Sequence, residues 1–468
     1  MWLRQKKNSV LIGRIDGFGF IDVKEIMQHK RTNLFVKKSA VASILTLIIA
    51  ILMFTFLRKG LILMYPLLLI LISVIFHIVY RQISQLSILL VLFGSIYSLF
   101  FNNGYISNVI MSLLIFYLPI ITLLSPATKH LISLEKFMKI TSKVLVLVNI
   151  TAFVNFMVNL HTHAVMVDDG FVGLYGQSGL IMHTLSLINF IYCVYFFYEK
   201  KIKKSTFFFL SGFLCFYGLG LVIFIIVIII LLLTKIRFEK IKYIMISILL
   251  LGLIITISNK INPKIFSYMK ENITSTVDGF SNYSYEKQIK ISRENKRTKV
   301  PRKITAFAGG LKRMTEFEIF IFGTGSGSYN SRTSFLLNGE YSKLISSAKN
   351  KGNRPVYAEL DVYPLWNRNI TYQYNDGTRN QPFSSVLALI VEYGFLQFII
   401  ISLLIYKLIV RIKNNSKPSG FFKFLIIFLI INLFTENYIE YPEFFILVIL
   451  LVKIIETAKN KSLNSIEK

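Results

Sequence analysis

With 468 residues, 54% of them hydrophobic and 14% aromatic, the chain is too apolar for a soluble globular domain. Its formal net charge of +29 is spread between apolar runs rather than gathered on one domain, which excludes nucleic acid as a partner. What remains is an all-α polytopic membrane protein, since long apolar runs in lipid must satisfy their own backbone as helices.

In chain order, residues 1–38 are polar and basic. They lack the short charged stretch and apolar core of a cleavable signal peptide and read as a cytoplasmic extension. Twelve apolar spans are predicted, at about 40–57, 61–80, 85–101, 105–125, 144–160, 179–198, 206–217, 219–234, 243–257, 385–410, 421–434 and 444–455. Nine fall within 39–258 and three within 385–456, followed by a tail at 457–468. The seventh and eighth make one apolar run with basic flanks at both ends, Lys200, Lys201, Lys203 and Lys204 before it and Lys235, Arg237 and Lys240 after it. Basic flanks mark the cytoplasm, so the chain is expected to reverse at Gly218-Leu219-Gly220.

Threading from a cytoplasmic N-terminus puts the lysine-rich loop 126–143, residues 411–417 and the C-terminal tail inside, in a bacterial cytoplasmic membrane. Residues 102–104, 161–178, 259–384 and 435–443 fall outside. Arg58 and Lys59 are the exception and can snorkel. Cys193 and Cys215 lie inside apolar spans and predict buried thiols rather than a disulfide.

The large loop 259–384 concentrates the polar chemistry, with about 20 Lys/Arg against about 10 Asp/Glu. Arg293, Arg297, Arg302, Arg313, Arg332, Arg354, Arg368 and Arg379 suit phosphate oxygens, which guanidinium grips in a bidentate fork. Tyr363, Trp366, Tyr372 and Tyr374, interleaved with Asn and Asp, suit sugar rings; packing of the loop itself is the other reading. Glu359 and Asp361 are spaced to share one face of a strand and are candidate bases. The turn Gly323-Thr324-Gly325-Ser326-Gly327-Ser328-Tyr329 lacks the Lys-Ser/Thr ending of a nucleotide loop and reads as a tight turn returning a helix to the membrane. His183 and Glu392, near span ends, are candidate general bases, and Glu392 is equally a candidate partner for a loop arginine. His161, His163, Asp168 and Asp169 have metal-ligand residue types but read as interfacial polar groups, so no metal site is assigned. Ionisable residues within the predicted spans are few (His77, His183, Glu392 and Lys407), which weighs against an ion-coupled transporter.

Three stretches carry a family likeness: Arg302-Lys-Ile-Thr-Ala-Phe307 leading to Phe322-Gly323-Thr-Gly325-Ser-Gly327-Ser-Tyr329; Phe383-Ser384-Ser385 leading to Glu392-Tyr-Gly394; and Gly179-Leu-Ile-Met-His183. With the topology they resemble the O-antigen and capsular polysaccharide polymerases (Wzy) and the related O-antigen ligases. The resemblance implies a metal-independent glycosyltransferase without cofactors, joining oligosaccharide repeats carried on a polyprenyl diphosphate at the outer face of the membrane. It implies the lipid-linked oligosaccharide and membrane lipids as partners, with a chain-length regulator and a flippase. On that reading Arg302, Arg313 and Arg379 neutralise the diphosphate, and a carboxylate or His183 deprotonates the acceptor. Phe383 stands where ligases carry a histidine, which favours the polymerases; a ligase-like transferase and a flippase of lipid-linked oligosaccharides are the alternatives.

Overall fold

A computed structural model of the chain describes residues 41, 43–53, 58–80, 84–162, 171, 173–175, 182–215, 217–233, 256, 283–294, 300–331, 333–336, 355–366, 382–415 and 420–458. Among them the chain is helical, with one isolated bridge between Ile78 and Ala127 and no strand. Three helices are long and apolar enough to cross a membrane, Ile106–Leu124, Leu134–Val158 and Phe395–Lys413, and six shorter helices are apolar. The described residues therefore form an all-α bundle with membrane-type helices. The basic extension 1–38 and, apart from Thr256, the expected span 243–257 lie outside the described residues.

The helices that matter below are α1 (Ser43–Met53), α2 (Arg58–Phe76), α3 (Gln85–Phe101), α4 (Ile106–Leu124), α5 (Leu134–Thr162), α6 (Met182–Tyr198), α7 (Ile202–Leu214) and α8 (Gly218–Leu233). After them come α9 (Tyr285–Arg293), α10 (Arg302–Arg313), α11 (Phe317–Phe322), α12 (Ser385–Tyr393), α13 (Phe395–Asn415), α14 (Gly420–Thr435) and α15 (Pro442–Thr457). The last is the axis of the bundle: every one of its residues is buried, its Phe444–Val452 run being apolar on every side. It packs against α2, α4, α5, α6 and α13.

Three elements differ from the sequence expectation. Helix α5 begins at Leu134, inside the stretch expected as a loop. Phe137, Met138, Thr141 and Leu145 form a buried stripe at three- and four-residue spacing, while Lys136 and Lys139 point outward. Helix α4 contains a π-helical turn at Leu113–Tyr117. The span expected at 385–410 is two helices, broken at Gly394 with φ 83°.

The chain reverses between α7 and α8, but not at the expected Gly218-Leu219-Gly220, which form the first turn of α8. Ser186 Oγ of α6 donates to Gly212 O at 2.9 Å, Gly220 packs on Leu187, and Phe224 stacks on Phe190 at 4.5 Å. Helix α8 therefore runs back alongside α6, antiparallel to α7. A reciprocal amide pair, Asn149 with Asn189 at 2.7 and 3.1 Å, ties α5 to α6; such pairs hold helices together where apolar packing alone does not discriminate between partners.

At one end of the bundle α4, α13 and α15 meet in a buried ion cluster. Lys453 Nζ donates to Leu123 O at 2.8 Å, to Ser125 O, and to Glu456 at 3.2 Å. Arg411 pairs with Glu456 and donates to Leu124 O at 2.9 Å. Two cations thus cap the last carbonyls of α4, and Glu456 balances them. Lys453→Met is expected to lower stability by about 3–5 kcal/mol, the usual consequence of breaking a buried pair; thermal unfolding in detergent reads it. An unchanged midpoint would mean that the cluster holds nothing.

Candidate functional site at the centre of the bundle

The loop helices are placed by small residues. Helix α10 buries Arg302, Thr305, Ala306, Gly309 and Gly310, one stripe at helical spacing. The two glycines let it close on Tyr285 of α9 and on Leu387 and Val391 of α12. Ile289, Ala306, Tyr329, Val362, Leu365, Trp366, Phe383 and Leu387 complete a small second core. Trp366 lies edge-on to Phe383 at 5.1 Å, and Tyr363 packs on the same core. These aromatics therefore build the loop.

Beneath this core the glycine turn is wedged between α3, α4 and α12. Gly323, Gly325 and Gly327 hold φ of 76°, 97° and 69°. The backbone of Gly323 crosses that of Gly394, and a Cβ on either glycine would strike the opposite main chain, so both positions require glycine. Gly94 of α3 touches Phe322, about 10 Å below the end of α3 at 1.5 Å per residue. Irregular backbone at that depth must have its polar groups satisfied by protein. Glu392 does much of this. Its carboxylate accepts from the backbone N–H of Gly327 (2.8 Å), Tyr329 (3.0 Å), Asn330 (2.8 Å) and Ser331 (2.7 Å), and from Ser334 Oγ at 3.3 Å. Asn102 and Asn108 donate to Thr324 O and Gly327 O at 3.0 and 3.1 Å.

Asp361 anchors the outer part of the loop. Arg313 binds it through Nε at 2.7 Å and Nη2 at 3.1 Å, and Tyr285 donates to it at 2.6 Å. The third Arg313 nitrogen reaches Glu316 at 3.2 Å. The Asp361 hydrogen bond raises the Arg313 pKa further, and burial followed by the Asp361 charge pushes the Tyr285 phenol up. Asp361→Asn is expected to lower stability by about 2–3 kcal/mol, as for a hydrogen bond to a charged group, read as a lower unfolding midpoint in detergent. The strand expected at 359–361 is instead a π-helical turn, Ala358–Val362; Glu359 is exposed and Asp361 buried, so the two do not share a face. Arg293 donates to Leu360 O at 3.3 Å. Arg297, Arg332, Arg354, Arg368, Arg379, Tyr372 and Tyr374 lie outside the described residues, as do His163, Asp168 and Asp169.

The densest buried chemistry lies where α10 meets the connection from α14 to α15, and the sequence reading did not single it out. Glu436, Glu440 and Glu443 are all buried. Lys303, largely buried, faces Glu436 at 3.8 Å, beyond hydrogen-bond reach; Arg302 beside it is 2% exposed. Burial holds the Lys303 ammonium below the usual lysine range, against the pull of Glu436. Thr184 donates to Glu443 at 3.4 Å and shares a 2.6 Å hydrogen bond with Tyr175. His183 is buried in a cage of Tyr217, Tyr438 and Tyr441, with ring centroids at 5.5, 5.7 and 5.4 Å. The 3-10 turn Tyr438–Glu440 packs on the π-helical turn of α4, which carries the carboxylates well into the bundle. The scarcity of ionisable groups expected inside the spans is corrected: Lys453 lies within the expected span 444–455, Glu443 and Glu456 flank it, and all three are buried in α15. The signal available in the sequence was the spacing of three glutamates, 436, 440 and 443, among tyrosines in a short connection.

No family model matches the chain, and no curated protein or solved structure does so either. The class defined by fold and site is a helical, membrane-type bundle with a buried acid–base cluster under a loop that re-enters it.

Proposed function

We propose that the protein is a membrane glycosyltransferase of the polymerase type, joining oligosaccharide repeats carried on a polyprenyl diphosphate at the outer face of the bacterial cytoplasmic membrane. The observation that carries this reading is the approach of the largely buried Lys303 to the buried Glu436, with the buried Arg302 preceding it in α10. Cations in a low-dielectric site can take a diphosphate leaving group without a metal. The Lys303–Glu436 contact is loose, so an incoming diphosphate competes for the ammonium. Glu436 is then released as the base. It takes the proton of the acceptor hydroxyl, the oxygen attacks the anomeric carbon, and the bond from that carbon to the diphosphate breaks. Polyprenyl diphosphate leaves against Arg302 and Lys303. Arg313, engaged by Asp361 and Glu316, positions the loop in this scheme rather than binding phosphate, and Glu392 holds the glycine turn.

A second reading is favoured by the crossing of two broken segments, at Gly394 and at the glycine turn, which is a common design in transporters. Detergent-solubilised protein separates the two. A transferase lengthens polyprenyl-diphosphate-linked repeats in solution, whereas a transporter or flippase needs two sides and yields no longer glycan. Absence of lengthening by protein that restores polymer in cells would sink the transferase reading.

A further inference from the structure

A cavity of about 810 Å³ opens between α2, α3 and the π-helical turn of α4. Its walls include Ile70, Val74, Val91, Leu92, Leu114 and Leu118, and several of these are exposed on the outside of the bundle, so the cavity is a lateral groove. The polar groups that reach it are bonded elsewhere. Ser73 donates to Leu69 O at 2.7 Å and pairs with Tyr80, which reaches Thr122 at 3.2 Å. Tyr117 bonds Ser87 and Gln397 at 2.8 and 3.0 Å. What the groove offers is hydrocarbon, which suits an acyl chain.

The rim is basic. Helix α2 ends in a Schellman turn, with His77 N–H to Val74 O at 3.3 Å and Ile78 N–H to Ser73 O at 2.9 Å. The residue at the left-handed position of such a turn is usually glycine. Here it is His77, at φ 49° and exposed, and it lines the groove. A residue kept in a disfavoured conformation points to use of its side chain. Lys129 is fixed at the same rim by its N–H to Phe76 O at 3.2 Å and is exposed.

We propose that this groove binds one anionic phospholipid, with an acyl chain between α2, α3 and α4 and its phosphate on the His77 N–H and the Lys129 ammonium. The site is separate from the acid–base cluster and does not depend on the transferase reading. The test is native mass spectrometry of the purified full chain with an equimolar mixture of phosphatidylglycerol and phosphatidylcholine. The wild type is expected to retain one phosphatidylglycerol with about tenfold preference, the contribution of roughly 1.4 kcal/mol. His77→Gly relieves the turn and removes the donor, so the preference is expected to disappear in a protein at least as stable. Lys129→Glu is expected to do the same from the exposed rim. Leu92→Trp, filling the groove from its exposed wall, is expected to abolish retention of either lipid. Equal retention of the two lipids by the wild type, or an unchanged preference in both rim variants, overturns the proposal. So does finding a polyprenyl phosphate as the lipid displaced by Leu92→Trp, which would give the groove to the carrier chain.

Discussion

Glu392→Ala is expected to give protein that does not accumulate as a folded species. The carboxylate answers four backbone N–H groups in the turn, and each left unsatisfied in a buried place costs about 1–3 kcal/mol. Their sum is comparable to the whole stability of an ordinary domain, about 5–15 kcal/mol. Glu392→Gln keeps one accepting oxygen, on the side that serves Tyr329, Asn330 and Ser331, but turns an NH2 group on Gly327 N–H. It is expected to fold with a clearly lowered midpoint. Size-exclusion profiles and thermal unfolding in detergent separate the two variants. An alanine variant that melts with the wild type would show that the turn does not depend on the carboxylate.

Glu436→Gln is expected to reduce glycan lengthening by about 10²–10⁴-fold, the usual contribution of a general base, with a smaller loss of thermal midpoint than Lys453→Met, because the Lys303–Glu436 contact is longer than that of Lys453 with Glu456. Lys303→Met should also depress lengthening, by weakening the hold on the diphosphate, while Glu436→Asp should recover part of the rate. The comparison with Glu392 is informative because the roles differ. Glu392 has both oxygens engaged by the main chain; Glu436 accepts from Asn437 N–H at 3.2 Å on Oε1, and its Oε2 faces the Lys303 ammonium at 3.8 Å, a separation that a substrate can exploit. Full activity in Glu436→Gln would remove this residue from the mechanism, whatever the reaction proves to be.

The parts of the fold legible in the sequence are those set by local composition. Helices α14 and α15 fall close to the expected 421–434 and 444–455, because each is a continuous apolar run and Pro442 marks the start of the second. That the chain reverses between α7 and α8 was readable from two basic flanks, though the turn expected at Gly218-Leu219-Gly220 is helical. The break at Gly394 was not, since one glycine in an apolar run is as compatible with close packing as with a turn; the crossing main chain at Gly323 decides it, and that partner is far away in sequence. The alternation Ala358-Glu-Leu-Asp-Val362 has the period of a strand, but the ion pair of Asp361 with Arg313 and the packing of Val362 select a helical turn. Of the candidate site, His183 was legible as a titratable residue near a span end and Arg302 as one of the loop arginines. Lys303 and the glutamates at 436, 440 and 443 were not, because their meaning lies in meeting one another across more than a hundred residues.

The bond between Glu392 and the glycine turn also sets an order of events during synthesis. The donors at 327–331 leave the ribosome before their acceptor, which follows 61 to 65 residues later. Until α12 emerges, the turn has no carboxylate to satisfy its N–H groups and no cause to leave water for the bundle. The re-entrant segment is therefore a late arrival, seated only when the helix that follows the loop is delivered. A nascent chain halted before residue 392 should keep a cysteine at Ser328 open to a water-soluble thiol reagent, and the completed protein should close it.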